Sequence, residues 1–155
     1  MTKNTAPFGV GGLRQSELSY RNSMTLHEAY FGNLGGNGKI SGSMAAALRS
    51  AYGSVEAWEL HFRSSGAALG GGSGWVVLAL ELMTGEPSTF GSNQNTQSQA
   101  SALPLLVMDM YEHAYALHYG AATAKYIDAF MANIQWDSVD RRFEQGGKIA
   151  RMLKG

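Results

Sequence analysis

Residues Leu103–Tyr119 read L-P-L-L-V-M-D-M-Y-E-H-A-Y-A-L-H-Y, an apolar run that ends in two closely spaced polar groups. Leu103, Leu105, Leu106, Val107 and Met108 are long enough together for one buried strand. The run delivers Asp109 and then His113, with Glu112 between them. A carboxylate and an imidazole leaving a buried strand together suit a metal site, because Asp offers a hard anionic oxygen and neutral His a borderline nitrogen. The same pair also arises by chance in soluble domains, so spacing alone leaves both readings open.

The rest of the chain frames this stretch. Upstream, Trp75–Leu82 (W-V-V-L-A-L-E-L) is the clearest strand, Thr84–Pro87 a turn, and Ser88–Gln94 a weaker strand. Asn95–Ser101 reads as a polar loop feeding the Leu103–Met108 strand. Ahead of the strands, Ser16 is a candidate N-cap for a helix carrying Leu18, Met24, Leu26, Ala29, Tyr30 and Leu34, which Gly35-Gly36 ends. A second helix spans Gly42 to Ala51. Ser54 caps a third with the stripe Val55, Trp58 and Phe62. Two helices close the chain: Thr123–Ile134, and one starting near Asp137 and carrying Val139 and Phe143 before Gly146-Gly147. Strands in succession between helices predict an α+β domain with a short three-stranded antiparallel sheet. Residues 1–16, polar with Pro7 and several glycines, read as a flexible tail.

Bulk properties exclude several classes. The 155 residues suit a single core. Lys+Arg and Asp+Glu number 12 each, so no net charge points to nucleic acid or to an anionic membrane. There is no cysteine, which excludes disulfides, thiolate metal sites and cysteine nucleophiles and fits a cytoplasmic protein. No apolar leader and no run of about 18 apolar residues is visible, which argues against secretion and a membrane span. No G-x-S-x-G, H-E-x-x-H or Ser/His/Asp arrangement supports a hydrolase.

The run P-L-L-V-M-D-M-Y-E-H-A-Y closely resembles the D-x-W-E-H-A-Y signature of iron/manganese superoxide dismutases. The resemblance extends through G-S-G-W at Gly72–Trp75, N-Q at Asn93-Gln94 and I-Q-W-D-S-V-D-R-R-F at Ile134–Phe143. It also covers L-H-E-A-Y-F-G-N-L-G-G at Leu26–Gly36, similar to the family's second helix. It implies residues 17–36 as one helix of the family's N-terminal hairpin and 37–155 as its C-terminal α/β domain. The first hairpin helix and its ligand histidine have no counterpart, since residues 1–17 contain no His. Neither His61 nor His118 is a convincing substitute.

What the resemblance implies is a redox enzyme. Asp109, His113 and His27 would hold one manganese or iron ion per chain, acting on superoxide. Trp75 and Tyr111, the latter in place of the signature Trp, would wall the site. Gln94 would hydrogen-bond the metal-bound solvent from the loop, an arrangement that modestly favours manganese, while Ser23 stands at the alternative helix position. Glu112 would reach across a homodimer interface to the partner's metal-site histidine. Ala116 stands where the family has an interface Tyr. The competing expectation is a non-catalytic homologue that keeps the scaffold and has lost dismutation.

Overall fold

A computed structural model describes residues 7–155. The order is α1 (Pro7–Phe31), α2 (Gly42–Tyr52), α3 (Val55–Leu69), β1 (Trp75–Glu81), β2 (Glu86–Ser92), β3 (Ala102–Asp109), α4 (Glu112–Tyr119), α5 (Thr123–Ala132) and α6 (Trp136–Leu153). The strands form one antiparallel sheet in the order β2-β1-β3, as expected for an α+β domain. Trp75 through Leu80 of β1 and Leu105 through Met108 of β3 are fully buried, so the sheet is covered on both faces and is the centre of the core. Trp58 and Phe62 of α3, Met44 and Leu48 of α2, and Val139 of α6 pack into it. No helix among the described residues is long and apolar enough to cross a membrane.

Register places the business end of the sheet. In the β1/β3 ladder Trp75 pairs with Asp109, and in the β1/β2 ladder the same Trp75 pairs with Ser92. Pro104 lies opposite Ala79 where the β1/β3 register shifts, and Pro87 lies on the outer strand β2. Both prolines therefore sit where a missing N–H can be tolerated.

Several expectations change in the fold. Of the tail expected over 1–16, residues 7–16 continue α1, and 1–6 lie outside the described residues. Gly9, Gly11 and Gly12 were read as breakers, yet none has positive φ and an added Cβ at any of them would meet nothing. This projecting end carries the ion pairs Arg14–Glu17 (2.7 Å) and Arg21–Glu17 (3.7 Å), each worth a few tenths of a kcal/mol at an exposed site. At its other end α1 stops at Phe31, before the expected Leu34, because Leu34 leaves to bridge Ile134. Strand β2 is set earlier than expected by the tight hairpin that pairs Glu81 with Glu86. The final helix runs straight through Gly146-Gly147 to Leu153. There a Cβ on Gly146 would come within 2.7 Å of Leu80 Cδ2 and 2.8 Å of Leu103 Cδ2, so the glycine lets α6 lie close on the sheet. Helix α4 was not anticipated: only Tyr115 of it is buried, too little apolar periodicity to register.

Two polar clasps fix the helices. Asn33, fully buried just after α1, donates from Nδ2 to the Val107 carbonyl (2.9 Å) and accepts from Arg142 Nη1, which also donates to the Leu105 carbonyl (2.8 Å). The end of α1 is thereby tied to β3, and with it the helix that carries His27. At α2, Asp140 Oδ1 accepts from the Met44 N–H (2.7 Å) and from Ser43 Oγ (2.8 Å), filling a cap that Ser41 does not supply. Asp140→Ala is expected to cost about 1–2 kcal/mol by leaving those donors unpaired at a helix start. Urea unfolding checks it: the midpoint should fall with the slope unchanged.

Candidate metal centre

Three elements converge at the Trp75–Asp109 end of the sheet. Helix α1 contributes His27, the end of β3 Asp109, and the first turn of α4 His113. The donor atoms form a nearly equilateral triangle: His113 Nε2 to Asp109 Oδ2 is 3.0 Å, His27 Nε2 to His113 Nε2 3.3 Å, and His27 Nε2 to Asp109 Oδ2 3.4 Å. Among the described residues these three are the group of His and acidic side chains that could grip one ion. Such spacings leave a common point about 2.1 Å from each donor, the usual length of imidazole and carboxylate bonds to a divalent ion.

Local chemistry prepares each donor. Because a carbonyl only accepts, His27 Nδ1–H donates to Ser23 O (2.8 Å), which leaves the Nε2 lone pair facing the cluster. Asp109 is 1% exposed, and its Oδ1 accepts from the Tyr111 N–H (2.8 Å), leaving Oδ2 for the imidazoles. Burial pushes its carboxyl above the usual range, against the pull of the Tyr111 N–H and of the two imidazoles. A buried carboxyl group beside two imidazole nitrogens is a seat for a cation. The Asp109 carbonyl is held from behind by the Tyr126 hydroxyl (2.6 Å), which burial keeps protonated well above the ordinary tyrosine range. Tyr126 in turn lies 3.2 Å from the Tyr30 hydroxyl. His113 is the open member, with its side chain 58% exposed.

Aromatic rings wall the cluster. Trp75 is fully buried and stands edge-on to His27, centroids 4.9 Å apart at 86°. Tyr111 stacks on His113 at 5.5 Å and 8°. Glu112 opens α4 beside His113 and is exposed.

Gln94 lies on the turn that follows β2. It is exposed, its carbonyl accepts from Ser92 Oγ (2.5 Å), and none of the hydrogen bonds among the described residues uses its side chain. The Asn93–Gln97 turn brings the next residue inward instead: Asn95 Oδ1 accepts from Trp75 Nε1 (2.8 Å) and lies 3.5 Å from the Tyr111 hydroxyl. Sequence reading missed Asn95, Tyr30 and Tyr126. Only the neighbouring N-Q pair and the apolar stripe of α5 hinted at them.

In this α+β protein a short antiparallel sheet and the turn after it bring a carboxylate and an imidazole to a second imidazole from a preceding helix, a donor set that could hold a single metal ion. Residues 40–142 match the family described as iron/manganese superoxide dismutases, C-terminal domain. The chain belongs to that family. It is 44% identical over 140 residues to an iron superoxide dismutase of Cupriavidus metallidurans, covering 90% of this chain and 71% of the relative. It is 35% identical over 134 residues to an iron superoxide dismutase of Aquifex aeolicus, covering 84% of this chain and 62% of the relative. A manganese superoxide dismutase of Mycolicibacterium smegmatis is 36% identical over 120 residues, 76% of this chain and 58% of the relative. The similar proteins thus carry the names of both metals, and those names favour the redox expectation over the scaffold-only one.

Proposed function

We propose that this chain binds one manganese or iron ion between His27, Asp109 and His113 and dismutates superoxide to oxygen and hydrogen peroxide. The observation that carries the reading is the triangle of donor atoms with sides of 3.0–3.4 Å on one buried carboxylate and two imidazoles. Gln94 is read as the loop donor to metal-bound solvent, which modestly favours manganese of the two.

A bound manganese or iron ion would supply one-electron redox chemistry, by which two superoxide ions and two protons become oxygen and hydrogen peroxide. This chain's residues set the terms. The ionised Asp109 favours the more highly charged oxidation state. The Ser23 carbonyl, holding Nδ1–H, aims the His27 lone pair at the ion's seat. Trp75 and Tyr111 close the sides, leaving the approach along the exposed His113 face, where a small anion can enter. Helix α1 is read as one helix of the family's hairpin, and the residues after it as the C-terminal domain. Exposed Glu112 next to His113 suits the paired contact of a homodimer, and a cysteine-free chain suits a cytoplasmic setting.

Elemental analysis of the purified chain, with a superoxide-consumption assay on the same sample, tests the proposal. Expected are about one ion per chain and turnover that falls by at least roughly tenfold in His27→Ala, since even partners behind a metal's direct contacts are worth 10–100-fold. Metal-loaded protein in which superoxide decays at the buffer rate would sink the reading.

A further inference from the structure

Building on that metal-site reading, we propose that Asn95 is the positioning residue of the centre: its amide oxygen holds the aromatic walls that set the spacing between the two imidazoles. Trp75 opens β1 and Tyr111 caps α4 just past β3, and each leans on a different histidine, Trp75 on His27 at 4.9 Å and Tyr111 on His113 at 5.5 Å. Both walls turn a polar hydrogen to one atom. Trp75 Nε1–H donates to Asn95 Oδ1 over 2.8 Å, and the Tyr111 hydroxyl over 3.5 Å. The indole is fully buried, so this acceptor fixes its rotation.

Asn95 is itself anchored to the helix that carries His27. Its carbonyl accepts from Asn22 Nδ2 (2.8 Å), and its own Nδ2 donates to Ser19 Oγ (3.4 Å), both on α1. A single loop residue therefore ties the His27 helix, the first residue of β1, and the turn between Asp109 and His113. Without it, α1 still packs on the core through Leu26 and Tyr30 and is clasped at Asn33, but neither wall ring keeps its hydrogen-bonded partner. A metal seat needs its donors fixed within fractions of an ångström, which is what partners behind the direct ligands provide.

Two substitutions separate hydrogen bonding from space filling. Asn95→Leu keeps the volume and removes the acceptor, whereas Asn95→Asp keeps an acceptor oxygen. Two readouts are compared: the Trp75 indole N–H resonance in the metal-free protein, one of three tryptophan signals, and manganese affinity by chelator competition. In Asn95→Leu the resonance is expected to move upfield and manganese to bind about tenfold more weakly or worse, with Asn95→Asp returning both toward wild type. Wild-type behaviour of Asn95→Leu in both readouts would overturn the role, as would equal damage in the two variants. If the wild-type chain takes up neither manganese nor iron, the proposed function fails separately. The metal-free resonance then decides Asn95 alone: unchanged in Asn95→Leu it overturns the tie to Trp75, shifted and rescued by Asp it upholds it.

Discussion

Asp109→Asn protein grown with added manganese or iron is expected to carry only background metal and, freed of metal in both cases, to melt above the wild type. The first half follows from the site: Asp109 Oδ2 is the corner 3.0 Å from one imidazole and 3.4 Å from the other, and without its charge two neutral nitrogens remain. Losing a direct ligand should weaken binding by more than the 10–100-fold typical of the groups behind one. The second half follows from burial. The carboxyl's pKa in the fold lies above its ordinary value, chiefly because it is out of water. For an acid raised in this way, the fold is favoured at low pH, and that advantage is lost as pH rises from the unfolded-state pKa through the folded-state one. Above the ordinary carboxyl range Asp109 is therefore a liability of the metal-free fold. An amide keeps the bond from the Tyr111 N–H without the charge. Metal content and chelator-treated thermal melts at neutral pH check both halves. A metal-loaded Asp109→Asn protein, or one that melts lower than wild type when metal-free, would contradict the account. Function here is bought with stability.

Gly74→Ala should be the most disruptive small substitution near the site. Gly74 has φ +154°, and a Cβ there would lie 2.2 Å from the Ser92 carbonyl oxygen and 3.1 Å from its carbon. Those are backbone atoms of β2, so no side-chain rotation relieves the overlap. The Gly74 carbonyl meanwhile accepts from the Met110 N–H (2.8 Å), which joins the start of β1 to the segment just past Asp109. Relief must come from parting strands at the place where Trp75 pairs with both Ser92 and Asp109. A cost of about 3 kcal/mol is expected, at the large end for one methyl group, which lowers the melting temperature by roughly 10 °C for a chain of this size. Metal content should fall with it, because Trp75 and Asp109 shift together. A melting temperature within a degree or two of wild type would show that the strands yield more easily than this geometry allows.

What the residues disclosed in advance follows the strength of the local signal. β1 and β3 were legible because their continuous apolar runs are strand length and bounded by turn or loop residues, which suits strands buried on both faces. Ser54 was legible as a cap because its hydroxyl has one local task, and it accepts from the Ala57 N–H at 3.0 Å. Glycine misled in opposite ways. At Gly9, Gly11 and Gly12 it sits in an exposed helix and breaks nothing, while at Gly146 it persists inside α6 because Leu80 and Leu103 occupy the space of a side chain. Of the cluster, Asp109 and His113 could be paired from the strand and its exit alone. Bringing His27 to them took a resemblance over the whole chain, since nothing local to α1 says which way that histidine faces. Asn95 stayed hidden for a narrower reason: which of two adjacent amides turns toward Trp75 depends on how the Asn93–Gln97 turn closes, and composition does not record that.

The donors come from segments 86 residues apart along the chain, one on a helix whose first turns are exposed, one at the end of β3 and one on the first turn of α4. An ion held there is a rivet through a closed loop, and it can be set only after α1 has docked on β3. Once seated, it would oppose the peeling away of α1 from the sheet.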